Sequence, residues 1–120
     1  MWPQSWTKGR EEVLRELRSW QGATAQGWAY SVSHSQFLVR LYRDEDLKGS
    51  PIVSLYLWLK SCDRVSFCDV WRGAHISIEE KEGQYGPEFI VTDGERLHVQ
   101  CGAIFATSAS ESVRLEDQLK

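Results

Sequence analysis

Three cysteines, Cys62, Cys68 and Cys101, and three histidines, His34, His75 and His98, have the widest chemical reach in this chain. Thiolates and imidazoles together are the ligands of structural zinc, but such sites draw on close pairs of the Cys-x2-Cys kind. Here Cys62 and Cys68 are six positions apart and Cys101 is remote. On an alternating strand His98 and Cys101 also point to opposite faces. The sequence therefore predicts no metal and no cofactor, with the thiols reduced and packed as small apolar groups.

Nucleophilic catalysis needs a serine or cysteine oriented by a base. Ser66 or Cys68 with Asp69 and His75 offers the residue types, yet nothing marks a nucleophile elbow or an oxyanion loop. The segment Gly83-Gln-Tyr-Gly86 lacks the strand-to-helix setting of a phosphate loop and reads as a hairpin turn. Glu79 beside Glu80, and Glu88 with Asp93, are carboxylate pairs among charged neighbours, with nothing to bury one member and split their pKa values. No catalytic residue is assigned, and an enzyme without recognisable motif ranks third among the functional readings.

The elements that must position these residues are legible from periodicity. Val13, Leu14, Leu17 and Trp20 recur at one-face spacing, which predicts a helix over Arg10 to Trp20. Thr7 is a candidate cap, Glu11 and Glu12 suit the first-turn dipole, and Gly22 suits a left-handed stop. From Gly27 the period changes to two. Strands are predicted from Trp28 to Val32, Phe37 to Tyr42, Ile52 to Leu59, Arg64 to Val70, Ala74 to Glu80, Phe89 to Thr92 and Leu97 to Cys101, with Ala103 to Ala109 a candidate for one more. The Asp93-Gly94 dipeptide is a hairpin signal. With one strong helix, parallel crossovers are not supplied. The expected architecture is α+β, a single domain over 1–120, with one N-terminal helix packed on a mainly antiparallel, curved sheet of about six or seven strands. Residues 1–9 form an arm and 110–120 a polar tail.

Ile52 to Leu59 is apolar on both faces: Val53, Leu55, Leu57 and Leu59 on one, Ile52, Tyr56 and Trp58 with Ser54 on the other. The helix is expected to cover the aliphatic face. Neighbouring strands add Leu38 and Tyr42 to Tyr56 and Trp58, and these four are the candidate interface. The competing assignment for that face is a second core layer, covered by the arm with Trp2 and Trp6 or by the tail.

A chain of 120 residues with 42% hydrophobic and 26% charged residues has the balance of a folded domain, not a disordered one. Its net charge of −3 and interspersed signs give no basic stripe, which argues against nucleic acid. No apolar run approaches the roughly 20 residues that span a bilayer. An odd cysteine count and an N-terminus without a signal-peptide pattern lead to the expectation of a reducing, cytoplasmic setting. The first functional expectation is a non-enzymatic interaction domain, meeting a protein partner or a second copy of itself, with inhibitor or immunity-type proteins as the analogy. The alternative is a domain that holds a small apolar ligand beneath the curved sheet, against Leu55 and Leu57, with Trp20 or Phe67 at the rim.

Overall fold

The computed structural model describes residues 6–31, 35–43 and 53–110, of which 109 and 110 as backbone only. Residues 1–5, 32–34, 44–52 and 111–120 lie outside the described residues, and with them Trp2 of the expected arm, Val32, His34, Ile52 and the expected polar tail from 111 on. The helix α1 spans Arg10–Leu17 and runs into a 3-10 turn, Arg18–Trp20. Ten strands follow the α+β expectation among the described residues: β1 (Thr7–Lys8), β2 (Thr24–Ser31), β3 (Gln36–Tyr42), β4 (Val53–Lys60), β5 (Arg64–Phe67), β6 (Val70–Trp71), β7 (Ser77–Gly83), β8 (Gly86–Asp93), β9 (Leu97–Cys101) and β10 (Ala103–Ser110). They form a six-stranded sheet, in the order β1-β10-β4-β3-β2-β6, and a four-stranded sheet, β5-β9-β8-β7. All strand pairings within them are antiparallel.

Two sheets stand where one was expected. The expected strand from Arg64 to Val70 is broken at Cys68 and Asp69, so that β5 joins the small sheet and β6 the large one. β1 and β6 are only two residues long, too short to leave a period in the sequence. Thr7 is not the helix cap. It belongs to β1, where its hydroxyl donates to the Ala106 carbonyl at 3.1 Å. Gly9 takes the cap position at φ 91°, a conformation that glycine adopts without steric cost, and its carbonyl accepts the Val13 amide at 3.0 Å. Gly22 does provide a left-handed turn after the helix, at φ 87°.

The aliphatic face of β4 is covered differently from expectation. Val13, Leu17 and Trp20 are buried, but the helix lies against β10, β7 and β1, closing the side between the sheets. An eight-residue helix with two buried side chains cannot blanket three leucines of a central strand. The small sheet does so instead: Leu55, Leu57 and Leu59 share one core with Ile78, Phe89, Val91, Leu97 and Val99. Phe67 stacks on Phe37 with ring centroids 4.5 Å apart and lies over Gly27, where a Cβ would meet its ring at 2.5 Å.

Candidate interaction surface

Register places the outer face of the large sheet residue by residue. Leu38 of β3 opposes Trp58 of β4, and Phe105 of β10 opposes Trp58 on its other side. Lys8 of β1 opposes Phe105 in turn. A second row runs Gln26, Arg40, Tyr56, Thr107, and Tyr42 opposes Thr24. The expected set Leu38, Tyr42, Tyr56 and Trp58 thus does share one face. Its members differ in access: Leu38 and Tyr56 are 0% and 1% exposed within the chain itself, whereas Tyr42 and Trp58 are half-buried. Leu38 and Tyr56 form a second apolar cluster, with Trp6, Trp28, Ala29 and Trp58 packed around it.

Around that cluster the rings carry cations. The Trp58 ring lies 5.3 Å from Trp6 and 5.4 Å from Phe105. The Lys60 ammonium stands 4.8 Å over Trp58, and Lys8 5.8 Å over Phe105. Trp58 donates its indole N–H to Gln36 Oε1 at 3.2 Å, fixing the ring's orientation. Arg40 is buried, its guanidinium 4.8 Å from the Trp28 ring and 4.5 Å from Tyr42, and its Nε donates to Ser54 Oγ at 3.1 Å. Trp28 reaches this face because the register slips between Gly27 and Ala29, a bulge that turns an additional side chain outward. Lys8, Lys60, Phe105 and Trp28 were not in the expected set. Phe105 could have been found by parity, since it and Thr107 alternate with the core residues Ile104 and Ala106; the bulge and the two-residue strand leave no such signal.

The chemistry-bearing residues are dispersed. His75 is exposed and its Nδ1 lies 2.9 Å from Gln21 Oε1, while its backbone N–H donates to Asp93 Oδ2 at 3.0 Å. His98 is exposed on β9 opposite Ser66, and Cys101 is buried on the other face of that strand. Cys68 is exposed, with its amide donating to the Arg96 carbonyl at 2.8 Å. No group of three or more His, Cys, Asp or Glu among the described residues is placed to hold a metal ion. Two thiols have displaced titrations. Burial, reinforced by the Asp63 carboxylate, pushes Cys62 up to about 11. Burial, reinforced by Cys62, pushes Cys101 up to about 12.

The clefts lined by described residues lie at the periphery. One of about 470 Å3 is bounded by Arg10, Glu11, Glu79 and Glu80, and one of about 350 Å3 includes Ser61, Asp63, Tyr85 and Gln100. Neither is lined by Leu55 or Leu57, which are fully buried in the core. Trp20 lies beneath the Arg43 guanidinium at 4.2 Å. No helix among the described residues is long and apolar enough to cross a membrane. Comparison with protein-family models, with curated proteins and with solved structures found no match, so the surface must be read from its own chemistry.

Proposed function

We propose that this chain is a non-enzymatic protein-interaction domain of a reducing, cytoplasmic setting, which meets a protein partner through the outer face of its large sheet. The observation that carries the reading is the partly exposed ring cluster Trp6, Trp58 and Phe105, with Tyr42 and Trp28 beside it, edged by Lys8 and Lys60. Large rings held rigid by a buried layer are the residues that concentrate binding energy at interfaces, because they bury area at little entropic cost. Leu38 and Tyr56 support the rings from below and do not themselves touch the partner.

The test is a Tyr42→Ser/Trp58→Ser chain compared with the unmodified one by circular dichroism, analytical ultracentrifugation and affinity capture from the native host. Retained circular dichroism with loss of self-association, or with at least tenfold weaker capture of a specific partner, is expected, since truncating a hot-spot ring costs about 2 kcal/mol or more. A monomer that captures nothing, or a partner held equally by both chains, overturns the reading.

A further inference from the structure

The main chain passes from the large sheet to the small one between β4 and β5, and back between β9 and β10. These two crossings run side by side. The β4–β10 register pairs Lys60 with Ala103; continued along the chain, it sets Ser61 opposite Gly102, Cys62 opposite Cys101 and Asp63 opposite Gln100. Backbone bonds bear this out on either side of the cysteines: Gly102 N–H donates to the Ser61 carbonyl at 3.2 Å, and Asp63 N–H to the Gln100 carbonyl at 2.8 Å. At Arg64, opposite Gln100, the β5–β9 register takes over. Cys62 and Cys101 therefore lie beside each other between these two bonds, at an irregular step where Ser61 is left-handed at φ 57° and Gly102 N–H is shared with the Lys60 carbonyl at 3.0 Å. Facing residues of antiparallel strands have Cα atoms about 4.5–5.5 Å apart, within the ~4.4–6.8 Å over which a disulfide closes. Their side chains also meet the same core: Cys101 belongs to it and Cys62 packs against it.

We propose that Cys62 and Cys101 form an oxidation-driven cross-strand disulfide, which joins the two crossings and closes the small sheet into a covalent ring. With a peroxide as oxidant, the half-buried Cys62 thiolate attacks one peroxide oxygen. The O–O bond breaks, hydroxide leaves and becomes water by taking up the proton the thiol had released, and a sulfenic acid remains. The Cys101 sulfur then attacks the Cys62 sulfur, the S–O bond breaks, and a second water carries away the hydroxyl and the Cys101 proton. In sum two thiols and one hydrogen peroxide give one disulfide and two waters. Both thiols are held protonated by burial, so the pair is slow at neutral pH and faster as pH rises toward the Cys62 titration near 11. Cys68, exposed and six residues from Cys62, serves as the internal control.

The full chain, reduced and desalted, is treated with hydrogen peroxide at pH 7 and pH 9, alkylated under denaturing conditions, and mapped by mass spectrometry without reduction. The expected product links the Cys62 and Cys101 peptides with the loss of two hydrogens, while the exposed Cys68 reports that the peroxide is active. It forms up to about a hundredfold faster at pH 9 than at pH 7, as the thiolate fraction of a group titrating near 11 rises tenfold per pH unit, forms equally in a Cys68→Ser chain, and raises the melting temperature until dithiothreitol restores the original value. Sulfinic acid at Cys62 with Cys101 still alkylatable, or Cys62 and Cys101 both alkylatable under peroxide that has oxidised Cys68, would each overturn the proposal. The unmodified chain gives these outcomes by itself, whether or not cysteine variants fold.

Discussion

Asp93 holds two elements with a single carboxylate oxygen, accepting from Trp71 Nε1 at 2.7 Å and from the His75 amide at 3.0 Å. Its own carbonyl accepts the Arg96 amide at 3.0 Å. Sequence identifies this residue only as the start of an Asp-Gly turn; the partners come from parts of the chain that no local pattern connects. Asp93→Ala strands an indole donor on a buried tryptophan and should cost about 1.5–3 kcal/mol, the range for hydrogen bonds to a charged group, measured by denaturant unfolding. Gly27→Ala is expected to cost about 1–3 kcal/mol as overpacking, because Phe67 is held by Phe37 and cannot swing aside. An unchanged unfolding midpoint would show that the ring yields. The thiols set a pH dependence. Their pKa values rise on folding from 9.0 to about 11 and about 12, so the folded chain keeps protons that the unfolded chain releases. The resulting stability is complete below pH 9 and is lost as pH rises from about 9 to 12. A Cys62→Ala/Cys101→Ala chain should show a shallower alkaline decline in melting temperature; equal slopes would refute the assignment. Burial of Cys101 and exposure of His98 were legible by parity, whereas the meeting of Cys62 with Cys101 depends on two chain crossings and was not.

At the level of elements, the two-sided apolar pattern of β4 was the most informative signal: its aliphatic face is buried, and on the other face Tyr56 is buried beneath partly exposed rings. The pattern did not say by what. The helix was an obvious candidate for the aliphatic face because its stripe is plain in the sequence, but the small sheet has a stripe as well, divided among Ile78, Phe89 and Val91, and Leu97 and Val99. Alternation identifies a buried face without identifying what it is buried against. The helix still matters where it lies. Leu17 is 1% exposed between β10 and β7, so Leu17→Ala should cost about 2–5 kcal/mol in thermal or denaturant unfolding. A loss below about 0.5 kcal/mol, as at surface sites, would mean that the helix is not anchored there. On the outer face, the pairing of Leu38 with Trp58, and the place of Tyr42 on the same face, followed from strand order and parity, which a meander supplies. The contributions of β10 and β1 required knowing that the last described strand enters the sheet between the first and the fourth.

For the molecule as a whole, that strand order has a consequence for how the protein is made. β10 lies between β1 and β4, and β5, β7, β8 and β9 form a sheet of their own. A chain ending at Gly102 therefore keeps the small sheet but leaves β4 with a bare hydrogen-bonding edge and removes Ile104 and Ala106 from the core. It should be recovered in the insoluble fraction; a soluble product with native circular dichroism would disprove this dependence. On the ribosome every copy passes through the same state. Synthesis of residues 61–110 takes roughly 2.5–10 s at ~5–20 residues per second, and throughout that interval β4 has been made while its β10 partner has not. The small sheet can pair as it emerges, and the large one is completed only when β10 slots in last. The nascent chain thus presents an apolar strand with one unpaired edge for seconds, an opening for chaperone capture or for association between neighbouring chains on one messenger.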